Sequence, residues 1–250
     1  MLPITNDKIL LSAEVRLASF FIIIIGFIII LSSALSKPEE IPPQVYLMVP
    51  SMEEISHGDR SKNQIIFTFD GGDSDLSSSK ILAVLQKHGV KSSFFLTGKF
   101  VENNIQVVKK IHGFGHDIYN HTYDHPHLTA ISDEEVADQL SKMERVLINT
   151  VGISPRPYFR APYGDRDTRV LKNAFVSGYQ SVYWTTDAMD WQESEGRTSS
   201  EVKNIVLSTL APGNIYLMHL GDTITGNILD ELFTEIKSRG YNIVSLKEGL

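Results

Sequence analysis

Seven short apolar runs separated by helix-like stretches predict an α/β domain with a parallel sheet, running from Gln64 to the C-terminus. Parallel neighbours need a long crossover, usually a helix, so repeated strand–helix units imply such a sheet. A second observation points the same way. The polar residues able to do chemistry stand at, or just after, the C-terminal ends of the expected strands, the edge where β/α folds build their sites.

The strands are expected at 64–69, 92–96, 117–119, 158–160, 180–184, 214–218 and 242–245. A helix over 77–87 is closed by Gly89, a residue that tolerates the left-handed turn ending many helices. The next strong helix opens at Ser132, with Glu135 placed three residues on as a capping box. Val136, Leu140, Met143 and Leu147 then fall on one face of it. Seven strands can form an open doubly wound sheet or close into a barrel, and pattern alone leaves both open.

Residues 17–35, LASFFIIIIGFIIILSSAL, carry no charge. At ~1.5 Å per helical residue they match the roughly 30 Å hydrocarbon core of a bilayer. The expected organisation is therefore a short stub and transmembrane anchor over 1–36, a linker over 37–62 rich in Pro, Ser and Glu, and the α/β domain over 63–250. A cleaved signal peptide ending near Ser32-Ser33-Ala34 is the alternative, giving a secreted protein. Lys8, Arg16 and the terminal amine precede the span and Lys37, Glu39 and Glu40 follow it, which favours the domain outside the cytoplasm.

The net charge of −7 disfavours a nucleic-acid partner, which would require a basic face. The absence of cysteine excludes disulfides, thiolate nucleophiles and cysteine metal sites, so any metal must sit on His, Asp or Glu. No obligate protein partner is inferred.

Five segments carry the chemistry. Asp70 directly follows the first strand, where it can act as a base or ligand, or simply as a turn residue. His121 and His125 stand four apart; on a helix they would share one face and a divalent cation, with Pro126 limiting that helix, and otherwise they are two structural histidines. His116 and His127 read as structural or solvent-facing. Arg160 closes the fourth strand before Ala-Pro-Tyr163 and can hold a carboxylate base in place, or form a structural ion pair. Asp187, Asp190 and Trp191 follow the fifth strand, and Leu217 and His219 the sixth. A histidine paired with an aspartate suits a general acid acting on a leaving amine. Trp191 offers a sugar-stacking platform or a core tryptophan.

In series, Thr68-Phe69-Asp70-Gly71-Gly72, His121-Thr-Tyr-Asp-His125, Arg160-Ala-Pro-Tyr163, Asp187-Ala-Met-Asp190-Trp191 and Leu217-Met218-His219 resemble the ordered motifs of the polysaccharide deacetylases (NodB-like domains, carbohydrate esterase family 4). The resemblance implies a distorted, TIM-barrel-like (β/α)7 barrel that removes N-acetyl groups from an N-acetylated glycan such as peptidoglycan or a chitin-like polymer. It implies Asp70 as the base activating the attacking water, His121 and His125 as ligands of a divalent metal, and Arg160 as the group orienting Asp70. His219 becomes the acid, tuned by Asp190 or Asp187. The Tyr163 backbone N–H helps the oxyanion, and Leu217 lines the acetyl pocket. Zn2+ is the expected metal, with Co2+, Ni2+ or Mn2+ as alternatives.

One position departs from the family. Where it usually has a second aspartate, the third metal ligand, this chain has Gly71. Asp73, after a Gly-Gly pair, is the expected substitute. The alternatives are a catalytically impaired glycan-binding module and a deacetylase of an O-acetylated substrate.

Overall fold

The computed structural model describes residues 51–72 and 74–250. The expected span over 17–35 and Asp73 lie outside the described residues. Among those described, no helix is long and apolar enough to cross a membrane.

The eight strands of the described residues lie in one parallel sheet: β1 (Gln64–Gly71), β2 (Ser93–Leu96), β3 (Asp117–Asn120), β4 (Tyr158–Phe159), β5 (Gln180–Ser181), β6 (Thr186–Asp187), β7 (Ile215–His219) and β8 (Asn242–Val244). The order is β5-β4-β3-β2-β1-β7-β6. Strand β8 joins β1 at Gln64–Ile66, below the stretch that β2 takes at Thr68–Gly71. The curled sheet has no β5–β6 pairing among the described residues, so its path remains open there. All seven expected strands are present. The additional one is β6, too short to carry a periodic signal, and Asp187 belongs to it rather than to the loop after the fifth strand.

Alternation along the strands separates two layers. Ile65, Phe67 and Phe69 pack outward with Phe94, Leu96, Tyr216 and Met218 against the helices. Ile66 packs inward with Phe95, Tyr119, Tyr158, Val182 and Ile215. By period two, Thr68 and Asp70 continue the inward row of β1, and Leu217 and His219 that of β7. Parallel strands covered on both faces read as continuous apolar runs, as QIIFTFDG does, with seven of its eight residues buried.

The outer layer is carried by α1 (Ser78–His88), α2 (Gly98–Asn103), α3 (Ile105–Gly113), α4 (Asp133–Val151), α5 (Thr168–Val176), α6 (Ser199–Ser208) and α7 (Ile224–Ser238), followed by a last turn, α8 (Leu246–Gly249). Gly89 ends α1 at φ 65°, as its position predicts. The Ser132–Glu135 capping box opens α4, and Val136, Leu140, Met143 and Leu147 are its buried face. Residues 51–62 run along the sheet: Ile55 bridges Val182, and the Gly58 N–H donates to the Gly213 carbonyl at 2.7 Å.

Candidate active site

The inward rows of β1 and β7 meet at their C-terminal ends, where Asp70 and His219 are register partners. A cavity of about 410 Å3 opens above them, lined among others by Asp70, His121, His125, Tyr163, Trp184, Trp191, Leu217 and His219. Residues spread over ~150 positions thus converge as strand-end placement predicts, because parallel strands deliver all their C-terminal ends to one face.

Arg160 is the hub of one side and is fully buried. Its Nη1 donates to Asp70 Oδ1 at 2.7 Å and to Thr68 Oγ1 at 2.9 Å. Nε and Nη2 donate to the carbonyls of Val182 and Tyr183, both at 3.2 Å. The guanidinium lies over the Phe95 ring, 4.1 Å from its centroid. Thr68 completes the arrangement by donating to the Tyr216 carbonyl at 2.8 Å. The carboxylate of Asp70 is therefore fixed on one oxygen, leaving Oδ2 toward the histidines.

His121 Nδ1 lies 2.9 Å from the Arg160 carbonyl, which can only accept. That assigns the proton to Nδ1 and turns the Nε2 lone pair into the cavity. His121 Nε2 is 3.5 Å from Asp70 Oδ2 and 3.2 Å from His125 Nε2. Burial pulls the pKa of His121 down; burial and then the neighbouring imidazole push that of His125 to about 3. Both rings are neutral, the form that binds metal. They do not meet on a helix. Asn120 accepts from the Thr122 N–H at 2.9 Å, and Thr122 and His125 take left-handed φ of 68° and 66°. The segment is thus a loop turned back on itself.

Two imidazoles fit two ligand positions of a divalent cation. The third, where a carboxylate is expected, has no side chain at Gly71. That residue faces the outer layer, and a Cβ there would meet Leu96 Cδ2 at 2.7 Å and Leu220 Cδ1 at 3.0 Å. Among the described residues, no group of three or more His, Asp or Glu is arranged to hold a metal. The fit is to a two-imidazole seat.

On the other side, Asp190 is fully buried beneath His219. Its Oδ1 accepts from His219 Nδ1 at 2.8 Å and its Oδ2 from the His219 N–H at 2.7 Å. The Trp191 N–H, at 3.1 Å, and the Thr225 hydroxyl also donate to it. Burial lowers the pKa of His219, but the charge and hydrogen bond of Asp190 outweigh this and raise it to about 9. Asp190, not Asp187, is the direct partner of His219. Asp187 accepts from the Met189 N–H at 2.8 Å and from Trp191 Nε1 at 3.3 Å.

At the rim, Tyr163 and Trp191 are 61% and 46% exposed, which places Trp191 outside the core. Tyr163 sits at φ 59° and stacks on His127 with centroids 4.1 Å apart. His127 therefore borders the site, while His116 is buried, accepting from the Ser92 N–H. Thr68, Trp184 and Thr225 support the site without a role predicted from sequence. The inward period of β1 marks Thr68; no local signal marks the other two.

A family model described as polysaccharide deacetylase matches residues 57–182. The peptidoglycan-N-acetylglucosamine deacetylase of Bacillus cereus is 34% identical over 76% of this chain and 69% of its own length. The uncharacterized protein YlxY of Bacillus subtilis is 34% identical over 84% of this chain, which spans only 64% of that relative. The solved structure of a wild-type CE4 family pseudoenzyme from Bacillus anthracis aligns with a TM-score of 0.74 at 29% identity, over 80% of this chain and 69% of that one. On its motifs, its sheet and these likenesses, the chain belongs to the polysaccharide deacetylase family.

Proposed function

We propose that the chain hydrolyses N-acetyl groups of an N-acetylated glycan, peptidoglycan first, releasing acetate. The observation that carries this reading is the pairing of Asp70 and His219 on adjacent strands, one carboxylate and one raised-pKa imidazole facing the same cavity. Asp70, held by Arg160, takes the proton of the attacking water. His219, protonated at neutral pH, gives its proton to the departing amine as the C–N bond breaks. The Tyr163 backbone N–H stabilises the oxyanion, Leu217 receives the acetyl methyl, and Tyr163 and Trp191 flank the sugar. A divalent cation on His121 and His125, Zn2+ before Co2+, Ni2+ or Mn2+, would supply Lewis-acid polarisation of the acetyl carbonyl. Asp73 is our candidate for its carboxylate ligand. The apolar span over 17–35 anchors the chain with the glycan-facing domain outside the cytoplasm.

A second reading is favoured by Gly71 and by the likeness to a pseudoenzyme: a glycan-binding module with an impaired centre. The test is acetate release by the full chain in detergent, from N-acetylglucosamine oligomers, peptidoglycan and an O-acetylated glycan. Each is assayed as purified, after chelation and after adding each cation back. Release that chelator abolishes and one cation restores supports the deacetylase. Glycan binding without release, at verified metal content, replaces it with the binding module.

A further inference from the structure

Three residues beyond His219, the Asp222 carboxyl is 6% exposed and joined to the buried Asp190 carboxylate through Thr225, whose hydroxyl donates to Asp190 Oδ2. Its Oδ1 accepts from the Thr225 N–H at 2.8 Å. Its Oδ2 has no donor. Both oxygens of Asp190 already accept from His219, Trp191 and Thr225. Two buried carboxylates held by one threonine cannot both be ionised without a large penalty, and one proton between them removes it. We propose that Asp222 is a positioning residue that shares a proton with Asp190 and thereby sets how tightly His219 holds its own.

The proton belongs on Asp222. Asp190 is the carboxyl surrounded by donors, and although burial opposes its ionisation, the charge and hydrogen bonds of His219 hold its pKa low. Burial and then the charge of Asp190 push Asp222 up to about 7. Asp190 and His219 are the charged groups acting on it. The hydroxyl of Ser77, before α1, donates to its backbone carbonyl, and Glu193 is taken up by Thr223. Below neutrality the pair carries one negative charge beneath His219; above it, two. The second charge strengthens proton binding at His219 as the solution becomes alkaline, which extends the range over which that imidazole can donate. The plainer role for Asp222 is capping α7 through Thr225.

The inference builds on His219 as the acid, but its test does not use acetate release, so the two readings fail separately. The full chain in detergent micelles is labelled with 13C at aspartate carboxyls and histidine rings, and His219→Gln assigns the His219 signal. In the wild type, one carboxyl is expected to titrate near pH 7, with a small step in the His219 ring at the same pH. Asp222→Asn keeps the cap and the donor. It should abolish both signals and weaken proton binding at His219 about tenfold. Because the folded pKa of Asp222 lies above its ordinary 3.8, its contribution to stability is complete below that value and lost as pH rises through about 7. The Tm of Asp222→Asn should therefore gain on the wild type between about pH 4 and 7. An unchanged His219 titration in Asp222→Asn would leave Asp222 a helix cap and overturn the proposal. Should that variant not fold, the wild-type carboxyl titration decides alone, and ordinary aspartate behaviour overturns it.

Discussion

The two halves of the site are built to different degrees of completion. On the acid side, His219 rests on Asp190, whose two oxygens accept from four donors. On the histidine side, Nε2 of His121 and Nε2 of His125 converge at 3.2 Å, yet the neighbouring position that should contribute a carboxylate is Gly71. The acid half is supplied entirely by protein groups, whereas on the proposed reading the histidine half would take a cation and a further ligand. Activity should therefore be robust where the protein supplies everything and sensitive where it does not.

The largest effect expected follows from removing the proposed acid. His219→Ala should lower acetate release by about 10²–10⁴-fold, the usual worth of a positioned general acid, with the fold intact by circular dichroism. Near-wild-type turnover would remove the acid half from the chemistry and leave the comparison without its stronger member.

Next comes the shared hub. Arg160→Met removes a fully buried guanidinium and leaves the Asp70 carboxylate without its 2.7 Å partner. Breaking one member of a buried pair costs about 3–5 kcal/mol, readable as a lower urea midpoint. A change below about 1 kcal/mol would show that Asp70 relaxes into solvent. It would then be no part of a rigid base.

Most of the acid side was legible in sequence because its parts sit in short ordered motifs tied to strand ends. Period two carries Asp70 and His219 to the same face from residues 149 positions apart, as their register confirms. What sequence could not give was tertiary. Thr225 reaches Asp190, and brings Asp222 with it, only because α7 starts beneath it, and no local pattern encodes that approach. Trp184 lines the cavity from a segment that reads simply as a strand end. Proximity of His121 and His125 was readable, but its route was not. A helix face was the simplest way to bring them together, and the chain instead uses a loop with two left-handed residues, which local Asn120 and Thr122 hydrogen bonds support.

A smaller effect sharpens the weak half. Gly71→Asp would place a Cβ against the side-chain ends of Leu96, Leu220 and Phe100, at 2.7, 3.0 and 3.2 Å. These ends can shift, at a cost of about 1–3 kcal/mol in unfolding free energy. If the new carboxylate turns to the histidines, zinc binding by competition with a chromophoric chelator should tighten about tenfold or more, as outer and inner ligands commonly do. Loss of stability without tighter binding would mean that the outward layer captures the side chain, and that Gly71 is a packing residue first.

The smallest effect concerns the rim, which belongs to neither half. Trp191 is 46% exposed and its indole donates to Asp187 at 3.3 Å, which leaves much of the ring open to a sugar. Aromatic contacts of this kind contribute about 0.5–1.5 kcal/mol, so Trp191→Ala should raise KM for a glycan oligomer about two- to tenfold. The turnover number should hold, because the bond from residue 191 to Asp190 comes from the backbone and survives the substitution. Trp191→Phe should recover most of the KM. A fall in turnover at constant KM would instead tie the indole to the Asp190–His219 pair, merging rim and acid half into one unit and leaving the histidine pair as the part that stands apart.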